Sequence, residues 1–230
     1  MTEPAYMIAV FDLDGTLLDT LEDLWRAANR ALEGRSLPTR TRDEVRMFVG
    51  NGVEALIRRA VPCGTDEDTI LATLADFKRI YAAICEDNTA PYAGVLDLLS
   101  RLRGAGVRTA VVSNKFDEAT KQLCRKYFGD LVEVAVGERA GIRKKPAPDT
   151  VFEALRALGT SASVTPSGAE GVTAVYVGDS DVDIETARAA GMPCISVTWG
   201  LRDEDFLLRH GATHLVRTAE ELESALLSDD

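Results

Sequence analysis

The sequence predicts an α/β fold in which a parallel-sheet core is interrupted by a block of helices. Two observations predict it. Short apolar runs alternate with helix-period segments from Val95 to Leu227, and residues 19–90 carry four amphipathic stripes with no convincing strand among them. Runs that are apolar on both faces belong in a parallel sheet covered by helices, and strand–helix alternation builds such a sheet.

The first run, Tyr6–Phe11, reads Y-M-I-A-V-F and ends on Asp12. The chain then leaves the sheet. Leu21, Leu24, Trp25, Ala28 and Leu32 fall on one helix face. Thr41-Arg42-Asp43-Glu44 is a capping box ahead of Val45, Phe48 and Val49. Val53, Leu56, Ile57 and Ala60 make a third stripe, and Ile70, Leu74, Phe77, Tyr81 and Ile84 a fourth. The alternation resumes with a helix through Val95, Leu98, Leu99 and Leu102, stopped at Gly104. Further strands are expected at Val107–Val112, Leu131–Val136, Thr173–Val177 and Cys194–Val197. Helices are expected at Pro148–Leu158 and Asp181–Ala190, with Gly159 and Gly191 as stops. The Ser/Thr/Gly-rich segment Gly159–Gly171 reads as a loop. The division is therefore a core of residues 1–18 and 91–230 with a helical insert at 19–90.

At 230 residues the chain is about one and a half times a typical domain of about 150 residues, which suits a core plus an insert. Apolar residues at 46% and charged residues at 27% exclude a disordered chain. A formal net charge of −11 argues against nucleic acid as a partner. No apolar stretch approaches the roughly 18 residues of a membrane span, and residues 1–10 lack the basic start and cleavage site of a signal peptide. Cys63, Cys85, Cys124 and Cys194 are scattered, as expected of reduced thiols in the cytoplasm.

Four motifs sit at or just beyond predicted strand ends. Asp12-Leu13-Asp14-Gly15-Thr16 places two carboxylates at i and i+2, on one side of the chain. Such a pair needs a cation or a shared proton, and Mg2+ suits an all-oxygen site. A strand-end Asx turn explains the same letters. Ser113-Asn114, after Val111-Val112, offers a hydroxyl, an amide and backbone N–H groups to a phosphate oxygen, or a helix N-cap. Lys144-Lys145-Pro146 fixes a basic pair before a helix, as a point charge for an anion or as a solvated loop. Gly178-Asp179-Ser180-Asp181-Val182-Asp183 adds carboxylates. It is not an EF-hand, because Ile184 stands at the sixth loop position and Ala190 at the twelfth. His210 and His214 lack a third ligand for zinc. Trp199-Gly200 follows a strand, as a pocket border or a loop anchor. No G-x-S-x-G elbow and no Walker loop occurs.

In that order the four motifs resemble those of the haloacid dehalogenase-like hydrolase superfamily: DxDGT, hydrophobic-S/T-N, K-P and GDxxxD. The resemblance covers essentially the whole chain, with the family's helical cap matching residues 19–90. Within the superfamily the chain is most similar to phosphoglycolate phosphatases, through Phe48-Val49-Gly50-Asn51-Gly52, Leu56 and Arg59-Ala60, and through Gly178–Asp183 with Ala187 and Ala190-Gly191-Met192. The Gly159–Gly171 segment is longer than the family's link.

The resemblance implies a Rossmann-like core and a magnesium-dependent phosphatase acting on a small phosphorylated metabolite, phosphoglycolate first. It implies Asp12 as nucleophile, Asp14 as general acid and then base, and Mg2+ held by the Asp12 carboxylate, the Asp14 carbonyl and Asp179. It implies Ser113 and Asn114 at the phosphate, Lys145 neutralising Asp12 and the phosphoryl group, and Asp183 orienting the lysine or a metal-bound water. The cap residues Gly50, Asn51 and Gly52 are expected to select substrate, with Arg58 or Arg59 as candidates or as solvated arginines. Four rivals share part of this pattern. A dehalogenase needs neither Asp14 nor magnesium. A β-phosphoglucomutase-like mutase shares every core residue, and a pyrophosphatase or nucleotide phosphatase fits the core equally. A receiver-type phospho-acceptor module has no inserted helices.

Overall fold

The computed structural model describes residues 4–160 and 173–228. Six parallel strands form one sheet in the order β5-β4-β1-β6-β7-β8. These are β1 (Ile8–Phe11), β4 (Arg108–Phe116), β5 (Val134–Glu138), β6 (Ala174–Gly178), β7 (Cys194–Val197) and β8 (Leu215–Val216). A short antiparallel pair, β2 (Leu18–Asp19) and β3 (Ala90–Pro91), joins the segment after β1 to the one before Val95. Between them run the four helices that the sequence predicts: α1 (Leu21–Glu33), α2 (Arg42–Phe48), α3 (Val53–Ala60) and α4 (Glu67–Ile84).

Residue alternation along β1 sorts the core into two layers. Ile8 and Val10 face α7 (Asp149–Ala157) and α8 (Asp181–Ala190), where Val151, Ala154, Leu155 and Ala187 are buried. Ala9 and Phe11 face the other cluster, which takes in α5 (Val95–Gly104), α10 (Ala219–Leu227) and the inward faces of α1–α4. The remaining helices are α6 (Asp117–Tyr127) and α9 (Glu204–Arg209). The expected capping box starts α2: Thr41 accepts from the Glu44 N–H, and the Glu44 carboxylate accepts from the Thr41 N–H. Gly191 stops α8 in the left-handed region, at φ 69°.

Three departures from the expected elements have local causes. β4 runs on to Phe116, with a shift of register against β5 between Val112 and Phe116, so Ser113, Asn114 and Lys115 stand at the strand's irregular end. β5 begins at Val134 because Gly129–Leu131 forms a 3-10 turn. β8 has two residues, too few to show a period. Of the expected 159–171 loop, residues 161–171 lie outside the described residues. All four cysteines are unpaired. Among the described residues no helix is long and apolar enough to cross a membrane.

Candidate active site

A parallel sheet brings all its strand ends to one edge, and a crevice forms where the strand order changes direction. Here the order reverses on either side of β1, so the loops after β1, β4, β5 and β6 meet there. They line one side of an open cleft of about 530 Å³ with Asp12, Asp14, Ser113, Asn114, Lys115, Lys145 and Asp179. The opposing wall comes from the helical block: Leu24, Val49, Gly50, Gly52, Val53 and Leu56.

The four motifs of the sequence therefore meet. Lys145 Nζ lies 2.7 Å from Asp12 and 2.8 Å from Asp183, and donates to the Tyr176 hydroxyl at 3.1 Å. Carboxylate oxygens of Asp12, Asp179 and Asp183 lie within 4.8 Å of one another, and all three residues are buried. Burial and the neighbouring Asp183 charge raise the Asp12 carboxyl well above the usual carboxylate range, against the pull of Lys145. Burial and Asp183 push the Asp179 carboxyl up to about 7. Burial works against the Lys145 ammonium, but Asp12 and Asp183 more than offset it and raise its pKa.

Three carboxylates around one ammonium leave negative charge uncompensated, which calls for a cation, and all-oxygen donors suit a hard divalent ion. The backbone is shaped to let Asp179 approach: a Cβ on Gly15 or on Gly200 would overlap its carboxylate. Thr16 Oγ1 donates to Asp179 Oδ1 at 3.1 Å and the Leu201 N–H to Oδ2 at 2.6 Å. Asp183 is differently placed. Its Oδ2 accepts from the backbone N–H groups of Asp179 and Ser180 and from the Ser180 hydroxyl, while Oδ1 serves Lys145 and Tyr176. With its oxygens occupied, it stands behind Lys145 and Asp179 as a brace. The residues present fit a metal at Asp12 and Asp179.

Asn114 reads both backbone polar groups of Lys145, accepting from its N–H at 2.9 Å and donating to its carbonyl at 3.0 Å. Its amide also donates to Gly50 O at 3.0 Å, so it ties two core loops to the helical block. The side chain expected at a phosphate is thus occupied with positioning. Ser113 Oγ lines the cleft and accepts from the Lys115 N–H at 3.2 Å. The Asp14 carboxylate accepts from Thr20 Oγ1 at 2.6 Å and pairs with Lys115 Nζ at 3.0 Å.

Gly50 and Gly52 line the cleft, whereas Asn51 is not among its lining residues. Arg58 pairs with Glu54 and Glu67, and Arg59 donates to Phe48 O, so neither reaches the cleft. Trp199 is a loop anchor, donating to Thr16 O at 3.0 Å. His210 stacks on Phe206 and is not among the residues lining the cleft. Sequence reasoning missed Lys115, Tyr81, Tyr176, Arg46 and Arg202. Only Lys115 left a signal, as a lysine directly after Ser113-Asn114 on an otherwise apolar strand.

Residues 9–197 match the family model described as haloacid dehalogenase-like hydrolase. A phosphoglycolate phosphatase of Pseudomonas putida is 35% identical over 199 residues, spanning 84% of this chain and 70% of that protein. A phosphoglycolate phosphatase of Caulobacter vibrioides is 35% identical over 198 residues, spanning 84% of this chain and 80% of that protein. The crystal structure of a candidate phosphoglycolate phosphatase from Lactobacillus delbrueckii subsp. bulgaricus aligns with a TM-score of 0.87 at 38% identity, covering 97% of this chain and 99% of that one.

Proposed function

The chain belongs to the haloacid dehalogenase-like hydrolases, and from that premise we propose that it is a cytoplasmic, magnesium-dependent phosphatase that hydrolyses a small phosphorylated metabolite through a phosphoaspartyl intermediate, with 2-phosphoglycolate as the favoured substrate. One observation carries the chemistry: Lys145 Nζ is held 2.7 Å from Asp12 and 2.8 Å from Asp183, beside a buried carboxylate cluster. A carboxylate that attacks a phosphate dianion must first be relieved of charge repulsion. Two relatives that are phosphoglycolate phosphatases, each aligned over 84% of this chain, support the substrate.

Asp12 attacks phosphorus, and the bond from phosphorus to the alcohol oxygen breaks as the bond to Asp12 forms. Asp14 supplies the proton that the leaving alcohol takes. It then removes a proton from the water that attacks the phosphoaspartate, which frees Asp12 and releases inorganic phosphate. Lys145 spreads the charge of Asp12 and of the transferring group, and Asp183 fixes that ammonium. Ser113 and adjacent backbone N–H groups hold phosphoryl oxygens, while Asn114 sets the Lys145 backbone. The Asp12 carboxylate, the Asp14 carbonyl and Asp179 would hold magnesium, which screens the approach of nucleophile to phosphate when bound. Residues 19–90 act as a cap over the core at 1–18 and 91–230 and exclude water when closed. Gly50 and Gly52 bring its backbone to the substrate.

The test is phosphate release from phosphoglycolate, glucose 1-phosphate, pyrophosphate and a nucleotide, each with and without magnesium. Release that needs magnesium and is fastest with phosphoglycolate is the expected result. Chelator-resistant turnover would overturn the metal, and equal release from all four would overturn the substrate.

A further inference from the structure

Lys115 is a buried cation of the cleft with donor capacity left over. Three positively charged residues line the cleft: Lys115, Lys145 and Arg202. Lys145 is divided between Asp12 and Asp183. Arg202 gives its two terminal nitrogens to the carbonyls of Arg46, Met47 and Val49, and its remaining Nε lies 4.0 Å from the Asp181 carboxylate. Lys115 has one carboxylate partner, Asp14 at 3.0 Å, and donates to the Tyr81 hydroxyl at 2.7 Å. An ammonium carries three hydrogens. Among the described residues Lys115 has no acceptor for the third, although its side chain is only 1% exposed. Leaving one hydrogen of a buried ammonium without an acceptor is costly, and Lys115 lines the cleft, where a ligand's acceptor completes its set of partners.

Its position gives the chemistry of that acceptor. Lys115 follows Ser113 by two residues, and the two touch, since the Lys115 N–H donates to Ser113 Oγ at 3.2 Å. The ammonium itself pairs with Asp14 at 3.0 Å, and Ser113, Asp14 and Lys115 line the same cleft, so it belongs to a subsite beside the one for phosphoryl oxygens, on the side of Asp14. Tyr81, on α4, braces it from the helical block and stacks against Phe77 at 5.6 Å, which fixes the ring.

We propose that Lys115, braced by Tyr81, binds a second anionic group of the substrate, a carboxylate carried on the leaving alcohol, and so sets a preference for phosphorylated hydroxy acids over neutral phosphate esters. The inference rests on the phosphatase reading above and adds the residue that reads the substrate.

The experiment compares kcat/KM for 2-phosphoglycolate and for 2-hydroxyethyl phosphate, its neutral counterpart, in the wild type with magnesium and in three variants. Lys115→Met lowers the acid-to-neutral ratio by about 100-fold, as expected for loss of a buried charge-assisted contact. Lys115→Arg keeps most of the preference, and Tyr81→Phe weakens it several-fold. If both rates fall together in Lys115→Met and the ratio holds, Lys115 serves Asp14 alone and the proposal is wrong. A wild type that hydrolyses both esters equally also overturns it while leaving the phosphatase chemistry intact, and one that hydrolyses neither overturns both. A measurement on the wild type alone guards against a variant that fails to fold. 3-Phosphonopropionate should inhibit turnover of the neutral ester at least about tenfold more tightly than propylphosphonate, and equal inhibition would reject a carboxylate subsite.

Discussion

Arg202 holds the backbone of Arg46, and Arg46 holds the backbone of the two residues before Arg202, across the junction of helices and core. Arg46, on α2, donates through Nε to Leu201 O at 2.7 Å and through a terminal nitrogen to Gly200 O at 3.0 Å. Arg202 donates in the opposite direction, to Arg46 O at 2.8 Å and Val49 O at 2.7 Å. The grasped loop also ends at the site, because the Leu201 N–H donates to Asp179 at 2.6 Å. The seating of the helical block and the orientation of a proposed metal ligand therefore share one loop.

Groups that orient a ligand carboxylate commonly change metal affinity by about 10- to 100-fold when lost. Arg46→Ala is expected to raise the magnesium concentration for half-maximal activity by about tenfold, near the low end of that range, since the Leu201 N–H itself remains. Activity titrated against magnesium checks this. An unchanged midpoint would mean that the loop holds Asp179 without the clasp.

The carboxylate cluster makes stability depend on pH in a direction opposite to that of an ordinary paired aspartate. Burial and Asp183 hold Asp179 at about 7, against about 3.9 in an unfolded chain. The unfolded state gives up its proton first, so the metal-free fold loses stability as pH rises from about 4 to about 7. A divalent cation that binds the ionised carboxylates reverses this cost. Magnesium should thus raise Tm by several degrees at about pH 8 and by much less at about pH 5.5. Equal shifts in thermal melts at the two pH values would count against the cluster as the binding site.

Lys145 neutralises two buried carboxylates, and removing it strands both. Truncating one member of a buried ion pair typically costs about 3–5 kcal/mol. Lys145→Ala should lose stability of that order and all phosphatase activity. Urea unfolding reads the first and phosphate release the second. A loss below about 1 kcal/mol would show that the pair is solvated in practice.

The two aspartates of the first motif separate by leaving group. Asp12→Asn should fall below about a thousandth of wild-type activity with every ester, because no nucleophile remains. In the first turnover, Asp14→Asn should slow release of an alkyl alcohol as far but release of p-nitrophenolate much less, since that leaving group needs no proton, while the later hydrolysis of the phosphoaspartate slows for both. Equal first-turnover losses on both esters would remove the general acid role from Asp14.

The fold was legible where a period was long enough to read. The five apolar runs became β1 and β4–β7, and the four stripes between Leu21 and Ile84 became α1–α4. The two-residue strands β2, β3 and β8 carry no period and stayed hidden. At the site, residues on strand ends were legible because a parallel sheet must collect them. Lys115 was not, because a lysine after Ser-Asn reads as the start of a solvated helix until the burial of β4's last residues is seen. Arg46 and Arg202 lie 156 residues apart, and nothing local links an arginine to a carbonyl at that distance. Asn114 lines the cleft, but its partners were not legible, since an amide's choice between ligand and backbone depends on which loop comes within 3 Å.

Asp23 supplies the last prediction, and it concerns the base of the helical block. It is fully buried near the start of α1, where its carboxylate accepts from the Asn88 N–H and side-chain amide and from the Thr89 N–H and hydroxyl. Those residues lead into β3, so one carboxylate fastens the segment leaving the core to the one returning. An amide in its place presents donors to donors, and alanine leaves the buried N–H groups without acceptors. Asp23→Ala should therefore destabilise the protein by about 3 kcal/mol in urea unfolding. Because the lost contacts lie at the neck and not in the cleft, residual folded protein should keep its magnesium midpoint while hydrogen exchange quickens in α1 and at residues 88–90. Exchange that quickens equally throughout the core would show that Asp23 supports the whole fold and not the neck.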